Sequence, residues 1–276
     1  MAQHRGCMRS ALMHGIRAFM LDVHLTSDDK LKLCHVSCAA GAVSLAQTLD
    51  TLREFLELNP REVVTVIWEV GFDTRFDGGR NVPKPVEAVF ENMLKAAYEE
   101  AALGAYLFEF RYSTWPSLWH MILENTRLVT FSSMNSSAEM PWNLHYPRYI
   151  VQTPWDSADA QELRAHCSLP GLATYTPRHS LVVINHFTTL GAAGVNSATV
   201  SALVEGLGID ALRGINRFSF MHERIISCSK CLGIFPNFIA VDFWMSSDVM
   251  DVVAILNRVS PSVRGEYFDK NVTFCG

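Results

Sequence analysis

Arg17-Ala-Phe-Met-Leu-Asp-Val23 and Val63-Val-Thr-Val-Ile-Trp-Glu69 are the stretches that decide the fold. Each is short, apolar nearly throughout and rich in β-branched or aromatic residues, as strands buried on both faces of a parallel sheet read. Each also carries a carboxylate at or near its C-terminal end, Asp22 in the first and Glu69 in the second. The same texture recurs at Leu31–His35, Leu128–Ser132, Tyr149–Thr153, Leu181–His186 and Phe238–Phe243.

Amphipathic segments lie between these runs. Leu45, Leu49, Leu52 and Leu56 recur at intervals of four, three and four residues, which is one helical face. Asn59-Pro60 ends that helix. Further helices are expected over Pro85–Leu103, Pro116–Asn125, Ser157–Cys167, Ser197–Leu207 and Ser246–Asn257. Strand–helix alternation without an internal repeat or a clear linker implies one α/β domain, either a barrel or a doubly wound sheet. The 276 residues suit a single barrel, which commonly runs to about 250. The domain is expected over residues 1–258, with 259–276 as a C-terminal tail.

One connection breaks the alternation. Between Asp22 and Leu31 there is no room for a crossover helix, which needs about a dozen residues. Leu31–His35 therefore returns antiparallel, as a hairpin. A two-residue turn at Asp28-Asp29 would set Asp22 directly opposite His35.

Composition narrows the function. Hydrophobic residues make up 49% and charged residues 18%, enough apolar content for a large core. A net charge of -5 does not suggest binding to a polyanion such as nucleic acid, which would favour a basic face. No stretch is apolar and long enough to span a bilayer, and Met1–Arg9 lacks the apolar core of a signal peptide. Of seven cysteines, Cys34 and Cys38 lie close together, as do Cys228 and Cys231. Reduced thiols and local disulfides are both open readings. Zinc is the weaker one, because only Cys228-Ser-Lys-Cys231 has its spacing.

The strand ends carry the chemistry. Asp22, His35, Glu69, His186 and Asp242 all stand at or near the C-terminal end of a strand candidate. In a parallel barrel those ends converge on one mouth, where active sites are built. A buried strand-end charge is costly unless it is paired or functional. Histidines there can move protons near neutral pH. Asp22 and Glu69 can hold a hard cation such as calcium, or orient and stabilise an imidazolium. His24 follows Asp22 on alternating spacing and shares its face, which makes it a substrate-binding candidate. No G-x-S-x-G elbow, H-E-x-x-H or P-loop is present, and no G-x-G-x-x-G follows a strand. Trp115, Trp119, Trp142 and Trp155 lie among prolines, where such rings either pack loops or form a lipid-facing rim. Trp155 is the substrate-binding candidate among them.

Gly15-Ile-Arg-Ala-Phe-Met-Leu-Asp-Val-His24, Leu33-Cys-His-Val36 and Phe55 through Glu69 together resemble the X-domain core of phosphatidylinositol-specific phospholipase C-like phosphodiesterases. Val183-Ile-Asn-His-Phe187 and Phe235-Pro-Asn-Phe-Ile-Ala-Val-Asp-Phe243 resemble the late strands of its secreted, plant and microbial branch. The resemblance implies an irregular TIM-type (β/α) barrel and cleavage of a lipid phosphodiester, the inositol 2-hydroxyl displacing diacylglycerol. It implies His35 as general acid, Asp22 and Glu69 as charge-stabilising or calcium-binding carboxylates, and Asp242 as the partner of a base histidine. It also implies a phospholipid or inositol phosphate as substrate, and an extracellular or membrane-surface setting.

The chain departs from this pattern in places. The family's opening strand, ending in Thr-His-Asn-Ser or Thr-His-Asp-Ser, has too few residues before Gly15 to be present, and neither His4 nor His14 replaces its histidine. The barrel is thus expected to be incomplete at its first strand, and the chain to be truncated or inactive. Met20 stands where calcium-dependent members carry glutamate. The alternative function is a non-catalytic barrel that binds a lipid head group or a protein.

Overall fold

The computed structural model describes residues 8–26, 28–34, 38, 41–72, 84–134, 137–172, 175–189 and 214–259. They divide into two compact units, one built on Ile16–Tyr149 and the other on the residues from Ile150 onward. The strands are β1 (Ala18–Leu25), β2 (Leu31–Leu33), β3 (Val43–Ser44), β4 (Val64–Phe72), β5 (Leu128–Ser132), β6 (Asn143–His145), β7 (Ile150–Gln152), β8 (Leu181–His186) and β9 (Phe238–Val241). The α-helices are α1 (Met8–Met13), α2 (Leu45–Leu58), α3 (Lys84–Glu100), α4 (Leu118–Leu123), α5 (Ala160–Ala165), α6 (Phe218–Leu232) and α7 (Val249–Leu256).

In the first unit six strands form one sheet in the order β3-β2-β1-β4-β5-β6. The β1–β4, β4–β5 and β5–β6 pairs are parallel, whereas β1–β2 and β2–β3 are antiparallel. Strand alternation sorts the side chains. Val23, Leu25, Val64, Val66 and Trp68 point to one face and join Leu49, Leu52 and Leu56 of α2, and Phe90 and Leu94 of α3, in a single buried cluster. Trp68 Nε1 donates to the Tyr98 hydroxyl at 3.0 Å inside it, so a polar pair is closed off in the core. The opposite face of β1 and β4 carries Met20, Asp22 and His24 beside Ile67, Glu69 and Gly71.

α2 starts where the Ser44 side chain accepts from the Gln47 N–H, and it stops at Asn59 before Pro60. Arg127, buried and leading into β5, donates to the carbonyls of Leu56, Asn59 and Glu62 at 2.9, 3.1 and 3.2 Å. That satisfies carbonyls left open at the end of α2 and places a cation at the favourable pole of the helix dipole.

The second unit contains a parallel sheet ordered β7-β8-β9. Val151, Leu169 and Val182 form a buried cluster there, with Leu232 from the end of α6 packed against it. A disulfide joins Cys167, just past α5, to Cys228 on α6. Cys228 therefore does not pair with Cys231: both sit on α6, where Cys228 is buried and Cys231 is exposed. The Cys34–Cys38 pair is bonded.

The chain is thus α/β with largely parallel sheets. All seven strand expectations fall on strands, with edges shifted by a residue or more in most. α6 was not anticipated, and the helix expected over Ser197–Leu207 lies outside the described residues. Trp115 packs against Phe108, Phe110, Phe131 and Tyr149, and Trp142 is buried, so neither belongs to an exposed rim. Trp119 and Trp155 are exposed.

Candidate active site

The site is built from the parallel pair β1–β4. Its register sets Asp22 directly beside Glu69 and His24 directly beside Gly71. Neighbouring residues in register share a face, so the two carboxylates stand next to each other on the face turned away from α2 and α3. Burial and the Asp22 charge both act on Glu69, burial more strongly, and push its carboxyl up to about 7. Glu69 therefore keeps its proton at mildly acidic pH.

The hairpin differs from its expected register by one residue. Val23 pairs with Leu33, and the Cys34 N–H donates to the Asp22 carbonyl at 3.2 Å. Asp22 thus faces Cys34 rather than His35. The cause lies in the turn. Thr26 N–H reaches the Lys30 carbonyl at 2.9 Å, and Asp29 adopts a left-handed φ of 55°, so the loop holds three residues instead of two. The Asp28 carboxylate fixes this turn by accepting from the Thr26 hydroxyl and Lys32 Nζ, which hold it down at about 2. His35 lies outside the described residues, between the bonded cysteines Cys34 and Cys38 in sequence.

His24 owes its position to a glycine. A Cβ built on Gly71 would fall 2.5 Å from His24 Nδ1 and 2.8 Å from Nε2. The imidazole therefore lies over β4 in the space a side chain at 71 would fill.

In the second unit, His186 ends β8 fully buried. Its Nε2 donates to the Ile215 carbonyl at 2.9 Å, and its Nδ1 accepts from Arg224 Nη1 at 3.3 Å. A carbonyl only accepts and a guanidinium only donates, so the ring is the neutral Nε2–H tautomer. Burial, reinforced by the Arg224 charge and opposed by the Ile215 bond, pushes it down to about 4. Both ring nitrogens are thus engaged within this unit. Arg224 also donates to the Leu163 and His166 carbonyls at 2.6 and 2.9 Å. Asp242 directly follows β9, and its carbonyl accepts from Asn216 Nδ2 at 2.9 Å. The exposed Trp155 accepts at its carbonyl from the Thr189 hydroxyl.

Known proteins share this arrangement of sequence and fold. The PI-PLC X family model matches residues 3–257. The chain belongs to the PI-PLC X family. A PI-PLC X domain-containing protein of Arabidopsis thaliana, At5g67130, is 28% identical over 267 residues, covering 91% of this chain and 54% of its own length. PI-PLC X domain-containing protein 1 of Arthroderma benhamiae is 24% identical over 254 residues, covering 88% of this chain and 74% of its own. This chain thus spans about half the length of the first relative. Among solved structures, phosphatidylinositol-specific phospholipase C of Staphylococcus aureus superposes with a TM-score of 0.57 at 13% identity, over 88% of this chain and 78% of that one. The Listeria monocytogenes enzyme gives 0.54 at 13% identity, over 94% and 84%. At such identities the likeness is one of fold.

PI-PLC X membership raises the question of calcium. Calcium takes six to eight oxygen ligands. Beside Asp22 and Glu69, this face of β1 offers a thioether at Met20 and an imidazole at His24. Among the described residues no group of three or more acidic, histidine or cysteine side chains is arranged to hold a metal ion. The described donors do not fit calcium. Two residues escaped the sequence reading of this PI-PLC X chain. Gly71 was signalled by a glycine inside an apolar strand, which marks close approach. Arg224 had no signal, because a guanidinium bonded to carbonyls leaves no motif.

Proposed function

We propose that this chain is a phosphoric diester hydrolase of the phospholipase C kind, acting on a phosphoinositide or a related lipid phosphodiester. One observation carries the reading. β1 holds Asp22 between Glu69 on β4 and Cys34 just past β2, and the residue after Cys34 in the chain is His35. A carboxylate pair in the C-terminal halves of adjoining parallel strands, next to a histidine-bearing segment, suits charge control and proton transfer at an ester. In this proposal an inositol hydroxyl gives its proton to water and attacks phosphorus, the bond from phosphorus to the glycerol oxygen breaks, and His35 protonates that departing oxygen. Asp22 and Glu69 set the charge around the imidazolium. The bacterial phospholipases with this fold support the substrate class. The Cys34–Cys38 and Cys167–Cys228 disulfides support an oxidising compartment.

The test is turnover of phosphatidylinositol in mixed micelles, read as diacylglycerol release. Wild-type chain turns the lipid over, and His35→Ala lowers kcat about 10² to 10⁴-fold. Equal turnover by His35→Ala, or none by wild type on any lipid phosphodiester, would sink the proposal.

A further inference from the structure

We infer that His24 contacts the bound ligand and that Gly71 is the positioning residue that seats its ring. The inference deepens the reading above and rests on it. Its basis is the conjunction of register, alternation and a missing side chain. Asp22 and His24 are two residues apart on β1, so they share a face and lie roughly 6 to 7 Å apart along the strand. Glu69 and Gly71 repeat that spacing on β4. The carboxylates thus form one row and His24 with Gly71 the next, toward the C-terminal ends of both strands, where α/β sheets bind their ligands.

Without a side chain at 71, the imidazole lies across onto β4 beside the Glu69 row. Any Cβ at 71 collides with Cε1, Nδ1 and Nε2 together, so the ring cannot keep this place above a larger residue. His24 is half-buried, with part of its surface open to solvent. An imidazole there can hydrogen-bond a phosphate oxygen or an inositol hydroxyl held against the carboxylate row.

A ring over a strand glycine can also serve packing alone. Phenylalanine separates the two roles, because it keeps the ring on Gly71 and removes both nitrogens. The probe is myo-inositol 1-phosphate, with affinity measured by calorimetry on the whole chain and folding checked by thermal melts. His24→Phe should melt within a few degrees of wild type and bind the probe roughly tenfold or more weakly, the loss expected for one hydrogen bond to a charged group. His24→Gln, which restores a donor and an acceptor, should recover part of that affinity. Gly71→Ala should weaken binding comparably although His24 is intact. Where Gly71→Ala does not fold, the Phe and Gln pair decides alone. Unchanged affinity in His24→Phe overturns the inference and leaves the hydrolase reading standing. A chain that binds through His24 and hydrolyses nothing keeps the inference and loses the reaction. Absence of binding to wild type overturns the inference, and the turnover assay alone then decides the hydrolase reading.

Discussion

Asp22 and Glu69 stand side by side on parallel strands, and the proximity of the Asp22 charge adds to burial in raising the Glu69 carboxyl to about 7. The raised value has a consequence for stability. In the unfolded chain Glu69 titrates near 4.5, so between roughly pH 4.5 and 7 the folded state binds more protons than the unfolded one. Stability from this group is full below pH 4.5 and is lost as pH rises through 7. Glu69→Gln removes the titration. At pH 8 the variant should be more stable than wild type by about 1 to 3 kcal/mol, with the two converging toward pH 4.5. Urea midpoints across this range would show it; parallel curves would contradict the coupling.

His186 gives the opposite slope. Its folded value of about 4 lies below the ordinary 6.5, so its contribution is complete above pH 6.5 and is lost as pH falls toward 4. His186→Phe leaves the Ile215 carbonyl and Arg224 Nη1 without this partner in a buried site. Unfolding at pH 7.5 should cost about 2 kcal/mol or more of stability, and the acid-side loss should flatten. A variant as stable as wild type would show that these two bonds add nothing to the fold.

The strands were legible because each is a short apolar run bounded by polar turns, and burial on both faces leaves that mark. Glu69 and Asp22 were legible for the same reason, as charges that interrupt it. The hairpin register was not. Asp28-Asp29 suits a two-residue turn and a three-residue one alike, and the left-handed Asp29 selects the longer loop, shifting Asp22 from His35 to Cys34. α6 escaped because its inward stripe runs Met221, Arg224, Ile225 and Cys228, so the apolar period is broken by a guanidinium whose partners, the Leu163 and His166 carbonyls and His186 Nδ1, are all tertiary. β3 and β6 hold two and three residues, too few for any period to register.

Arg127 is the corresponding case in the first unit. It links the end of α2 to the entry of β5 through the carbonyls of Leu56, Asn59 and Glu62, and its guanidinium lies 5.0 Å from the Tyr106 ring centroid. Arg127→Met keeps much of the aliphatic volume and removes every donor. The carbonyls are then left short of partners in a dry site, so the variant should lose about 3 kcal/mol. Arg127→Lys should recover only a fraction, since an ammonium cannot match a planar fork. Chemical denaturation of the variants checks this, and equal stability of Met and Arg at 127 would show that water already serves these carbonyls.

The carboxylate pair also predicts the response to calcium. A cation bound only to the folded chain raises its stability by RT ln(1 + [L]/Kd), about 2.7 kcal/mol at a hundredfold excess over Kd. Asp22 and Glu69 supply two carboxylates, Glu69 is largely protonated below about pH 7, and the same-face neighbours Met20 and His24 offer no oxygen. Millimolar calcium at pH 7 should therefore leave the melting temperature within a degree of that in chelator, and leave affinity for myo-inositol 1-phosphate unchanged. An Asp22→Asn variant would be equally indifferent. A calcium-dependent rise of several degrees that vanishes in Asp22→Asn would mean that further oxygens complete a shell around this pair, and the protonated Glu69 would give way to a metal-bound one.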